Sequence, residues 1–154
     1  MSLFYNFYGE ADIATESLVS LVAAVVSGSV GPDGTVFCEG MNITPRHVSA
    51  EDDDDSTGRY FGFVERLSVT FNFDNLAPEE TTNRNMALMV EVVLAIFDAS
   101  PGRGVLLYNA SHAILQRLDD GVEFASDWED WSELAEIVPI AARHSVRLLN
   151  QPLL

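Results

Sequence analysis

Apolar and polar residues alternate from residue 3 to residue 11, with Leu3, Tyr5, Phe7 and Gly9 on one side and Phe4, Asn6, Tyr8 and Glu10 on the other, which predicts an aromatic-rich strand. The period then lengthens. Leu18, Leu21, Val22, Val25 and Val26 recur at helical spacing up to Gly28, with Thr15 as the expected N-cap and Glu16 at the positive end of the helix dipole. Val30-Gly-Pro-Asp-Gly34 enforces a turn, and residues 35–41 and 43–49 read as two short strands interrupted by Gly40 and Pro45. The clearest strand signal lies further on, where Leu67, Val69, Phe71 and Phe73 alternate with Ser68, Thr70 and Asn72.

Pro78, Glu79 and Glu80 suit the first turn of a second helix, whose apolar stripe is Met86, Met89, Val90, Val93, Leu94 and Phe97, and Ser100-Pro-Gly102 ends it. Leu88, Val92 and Ile96 lie off that stripe, so this helix is expected to be covered on more than one side. Residues 105–108 and 113–118 form a predicted hairpin about Asn109-Ala-Ser111, and Asp119-Asp-Gly121 turns the chain into Val122-Glu-Phe124. A short helix follows, capped by Ser126 or Asp127, containing Trp128, Trp131, Leu134 and Ile137, and limited by Pro139; residues 140–149 read as helical or extended. The predicted fold is α+β: a single mostly antiparallel twisted sheet packed by two main helices plus a short C-terminal helix, in one domain over residues 1–154 with an acidic loop at 51–58 and a loose tail at 150–154.

Composition narrows the function more than the fold. The 154 residues carry 24 acidic against 8 basic side chains, for a net charge of −16. Every basic residue is an arginine, and the eight are scattered, so no basic patch is available to bind nucleic acid or an anionic membrane surface. The start has no basic region followed by an apolar stretch, and no run approaches the roughly 20 apolar residues of a membrane span, so a cytoplasmic protein without a targeting signal is expected. Cys38 is the only cysteine, and the apolar context Val36-Phe37-Cys38 suits an inert thiol. His47, His112 and His144 are too far apart to suggest a zinc site, and neither a phosphate-binding glycine loop nor a serine nucleophile elbow is present. The reading is therefore a non-enzyme without cofactor or metal.

Two acidic regions remain to be explained. Asp52, Asp53, Asp54 and Asp55 repel one another and predict an exposed loop, without the ligand spacing of a calcium-binding loop. Between Asp119 and Glu136 stand eight carboxylates and no basic residue, and Trp128 and Trp131 sit among them beside Asp127 and Asp130. Aromatic anchors within unpaired charge are the composition of a docking site for a basic protein; the same tryptophans also fit a plain role in the core.

The run Leu67–Asp74, the helix ending in Asp98-Ala-Ser-Pro-Gly102, Val105–Asn109 with its turn, Ile114-Leu-Gln-Arg117, and Asp127-Trp128 together resemble small bacterial immunity proteins, in particular the immunity partners of myxobacterial swarming-inhibition toxins and their actinobacterial relatives. Residues 60–130 carry the resemblance. It implies a non-catalytic protein that binds and blocks a cognate toxin domain in the cytoplasm, and it transfers no individual binding residue. Many toxin domains that attack nucleic acid are basic, which fits an acidic inhibitor, monomeric or homodimeric. An acidic secretion chaperone, holding an extended segment of a client, is the alternative from another class. The candidate partner-binding residues are Asp52–Asp55, Asp127, Trp128, Asp130 and Trp131.

Overall fold

The alternation at residues 67–73 produces the strand it predicts. This strand, β5 (Leu67–Phe73), buries its four apolar residues and leaves Ser68, Thr70 and Asn72 half-buried on the opposite face. It lies between β4 (Met41–His47) and β1 (Leu3–Gly9), antiparallel to both. The coordinates are a computed structural model that describes residues 3–48, 60–119 and 121–151.

The remaining elements are α1 (Thr15–Val26), β2 (Ser29–Val30), β3 (Val36–Cys38), α2 (Glu79–Ala99), β6 (Gly104–Tyr108), β7 (His112–Arg117), β8 (Glu123–Ala125), α3 (Asp130–Glu133), α4 (Val138–Ala141) and β9 (Ser145–Arg147). The nine strands form one sheet in the order β2-β3-β4-β5-β1-β6-β7-β8-β9, and every pairing is antiparallel except β8 with β9. The fold is α+β as expected, with the two long helices on one face of the sheet.

Specific contacts seat α2. The buried Asn85 donates through Nδ2 to the Glu39 carbonyl at 2.8 Å, pinning the helix over the β3–β4 turn. That turn needs Gly40, which has φ of +79° and a position where a Cβ would come within 2.7 Å of Thr81 Cγ2. At the other end Arg117 donates to the carbonyls of Phe97, Ser100 and Gly102, and its guanidinium lies 4.4 Å from the centre of the Phe97 ring. One side chain thus satisfies carbonyls that the helix end leaves open and ties α2 to β7. Val92 and Ile96 are buried along with the main stripe, because α2 packs against both the sheet and α1. On the far face of the sheet Phe63 covers Val105, Leu107 and Ala113 in a second, smaller core.

Several boundaries differ from the sequence reading. Thr15 is the first helical residue of α1 and not its cap; Ala14 precedes it, and Thr15 Oγ1 instead accepts the His47 backbone N–H at 2.9 Å, joining helix to strand. The turn between the two short strands falls at Glu39-Gly40, two residues earlier than expected, because Gly40 supplies the left-handed backbone there. Strand β2, at one edge of the sheet, was not expected, and residues 140–149, read as helical or extended, divide between the end of α4 and the opposite edge strand β9. Neither Ser126 nor Asp127 caps a helix: the short helix is divided into α3 and α4, and Pro139 lies in the first turn of α4 rather than ending the element before it. Gln151, assigned above to the loose tail, hydrogen-bonds with both the N–H and the carbonyl of Ala113, as a neighbouring strand would. The acidic run Asp52–Asp55 lies outside the described residues.

Candidate functional site

The second acidic region gathers on the turn after β8 and on α3, beside the ends of β1, β6 and β7. Trp128 stands at its centre, half-buried, with its ring 5.0 Å from that of Tyr108, 5.7 Å from His112 and 6.4 Å from Tyr5. Tyr5 in turn meets Phe73 edge-on at 5.3 Å, so the tryptophan rests on the aromatic rows that β1, β5 and β6 turn toward it. The Trp128 Nε1 is buried without a hydrogen-bond partner. Asp127, Trp128, Glu129 and Asp130 line a hollow of about 250 Å³ in front of it.

Trp131, three residues on, has the opposite fate. It is 3% exposed, its ring packs edge-on to Phe124, and Nε1 donates to the Ile114 carbonyl at 2.6 Å. A short helix has one buried side, and Trp131 occupies it, whereas Trp128 stays half-buried and Asp127 and Glu129 beside it stay exposed. The sequence carries both fates for a tryptophan among acids, and only the hydrogen bond to β7 distinguishes them.

The carboxylates divide just as sharply. Glu10 forms a two-pronged pair with Arg103, and Glu123 binds Arg147, so the arginine in each case holds the carboxyl below the usual range. Those acids pin the fold. Asp127 Oδ2 lies 3.4 Å from His112 Nε2. Among the described residues, no arginine or histidine pairs with Glu129, Asp130, Glu133 or Glu136.

Asp130 shows the consequence. Partial burial, then the charges of Glu133 and Glu129, push its carboxyl above the usual range. A raised native pKa means that the folded state takes up the proton at higher pH than the unfolded chain, so the ionised carboxylate opposes folding at neutral pH, and that penalty fades as pH falls through the native value. Asp130→Asn is therefore expected to melt higher than the native chain at pH 7, with the difference shrinking as the pH falls toward the ordinary carboxyl value of about 3.9 and vanishing below it, where the carboxyl becomes protonated in both states. Melting curves taken from pH 7 to pH 3.5 check this; a constant difference would show that the change acts through packing instead.

The remaining candidate chemistry is modest. Burial pushes the half-buried Cys38 thiol up, away from the thiolate a nucleophile needs. His47 Nε2 lies 2.6 Å from Asp12, and His144 stacks on Phe124 at 5.7 Å. Among the described residues no group of His, Cys, Asp and Glu is arranged to hold a metal, and no helix is long and apolar enough to cross a membrane.

The fold and this surface define an acidic α+β protein whose exposed chemistry is a charged, aromatic-centred face. A family model described as SitI3-like matches residues 3–135, and the chain belongs to that family, one of immunity proteins. The matched region contains the whole of the stretch 60–130 that carries the resemblance to swarming-inhibition immunity partners, and extends it to β1 and α1. No curated protein and no solved structure matches the chain.

Proposed function

We propose that this chain is a non-catalytic immunity protein that binds a cognate, basic toxin domain in the cytoplasm and blocks its active cleft. Membership of the SitI3-like family supports the immunity role. The observation that carries the choice of surface is that Glu129, Asp130, Glu133 and Glu136, following the half-buried Trp128 along the chain, are paired with no cation among the described residues. Such a set of carboxylates attracts a basic surface over a distance of about a Debye length and competes with a phosphate substrate for the same groups. Trp128 then supplies a rigid contact that loses little conformational freedom on binding.

Growth rescue tests the proposal. A basic toxin domain encoded beside a gene of this family is induced with and without this chain. Restored growth together with co-purification of the two folded partners is the expected result. A domain that remains toxic while this chain is well expressed would sink the immunity reading, and capture of an extended client peptide by a stable dimer would favour a secretion chaperone.

A further inference from the structure

A second hollow, of about 300 Å³, adjoins Trp128 and differs in character from the acidic one. Its walls are Ala125 and Val146 from neighbouring strands, Trp128 and Trp131, and Val138 and Ala142 from α4 and its end. Val138 and Val146 are 41% and 53% exposed, and Leu148, just beyond β9, is 66% exposed. Val138 and Val146 are two of the eight large apolar side chains left exposed among the described residues, and both line this groove. Apolar groups gathered at one groove mark a contact site, whereas scattered ones do not.

The charge around the groove specifies its occupant. Ser132 of α3 lies on its wall, and the same short helix carries Asp130 and Glu133, paired with no cation among the described residues, with Glu129 before it and Glu136 after it. Two cations lie next to lining residues in the chain: Arg147, held by Glu123, and the exposed Arg143, which follows Ala142. A second copy of this chain would bring acidic α3 rows into the same interface, and like charges across an interface oppose binding. A cationic partner meets no such penalty.

We infer that this groove receives an apolar side chain from a cationic segment of the toxin domain, seated between Val138 and Val146, while a neighbouring lysine or arginine meets the α3 carboxylates. The inference rests on the immunity reading and adds a division of labour to it. The carboxylates govern the rate of encounter, and the groove governs how long the complex lasts.

Surface plasmon resonance with the same toxin domain as the probe separates these roles. Ala142 and Val146 are both exposed, so Ala142→Trp, which fills the groove, and Val146→Ser, which makes its rim polar, leave the core intact; thermal melts verify this. Ala142→Trp is expected to speed dissociation by about tenfold or more with association changed by less than about twofold, and Val146→Ser to act in the same direction more weakly. Native binding with both variants dissociating at the native rate would overturn the groove and leave the immunity reading intact. Failure of the native chain to bind the domain or to rescue growth would remove the immunity reading, and the groove's occupant with it.

Discussion

Gly104→Ala is expected to cost about 3 kcal/mol and to lower the melting temperature by about 6–12 °C. A Cβ at Gly104 would stand 2.6 Å from Phe7 Cζ, 2.9 Å from Phe7 Cε1 and 2.9 Å from Phe97 Cε1. Neither ring has room to yield: Phe7 is fully buried, Phe97 is 5% exposed, and the two meet edge-on with centres 5.4 Å apart. Phe97 is also held by the Arg117 guanidinium over its face. Relief must therefore come from moving α2 away from β1 and β6, which opens the core that seats it. Shrinking the obstruction tests this cause. Gly104→Ala combined with Phe7→Leu should be less damaging than the sum of the two single changes, whereas additive losses would show that crowding against Phe7 is not the reason. Gly121→Ala is the control, because nothing lies within 4 Å of its Cβ position, and it should change stability by less than about 0.5 kcal/mol.

The largest functional effect is expected from neutralising charge. Changing Asp127→Asn, Glu129→Gln, Asp130→Asn and Glu133→Gln together preserves size while moving the net charge from −16 to −12. Steering by a charged surface raises association rates by 10- to 1,000-fold, so loss of the four nearest carboxylates should slow association with the toxin domain by about tenfold at low salt. At about 1 M salt, where screening acts within about 3 Å, native and neutralised chains should associate at similar rates. Dissociation should change less, since charges at the rim of an interface act mainly on encounter. Stopped-flow association across a salt series makes the comparison, and unchanged association rates would remove electrostatic steering from the proposed function. Stability moves separately: burial and the neighbouring charges oppose ionisation of Asp130, so removing that carboxylate should favour folding at neutral pH.

The two edge strands show where sequence patterns lose their force. Alternation over seven residues in β5 leaves a period that nothing else explains, but β2 has two residues and β9 three, too few for any period to register. Strand β9 also pairs parallel with β8, so it is defined by a partner reached through α3 and α4 rather than by a hairpin turn readable in the intervening residues. The groove depends on this. Val138, Ala142 and Val146 have no common sequence signature, and they become one wall only after α4 and β9 have docked beside the tryptophans.

Periodicity, turn residues and charge by themselves determined the α+β class, the central strands, the two long helices and the acidic character of the surface, because each of these is set by neighbours close along the chain or by a simple count of charges. Only the tertiary structure decided which acids are available: Glu123 and Glu129 are alike in sequence, yet the first is bound by Arg147 from a strand 24 residues away and the second is paired with no cation among the described residues. Only the tertiary structure separated Trp131, drawn inward by the Ile114 carbonyl, from Trp128, left half-exposed on an aromatic row. Pairing across the sheet is a property of distance in space, and a hydrogen bond or ion pair formed there overrides what the same residue type would do in its local context.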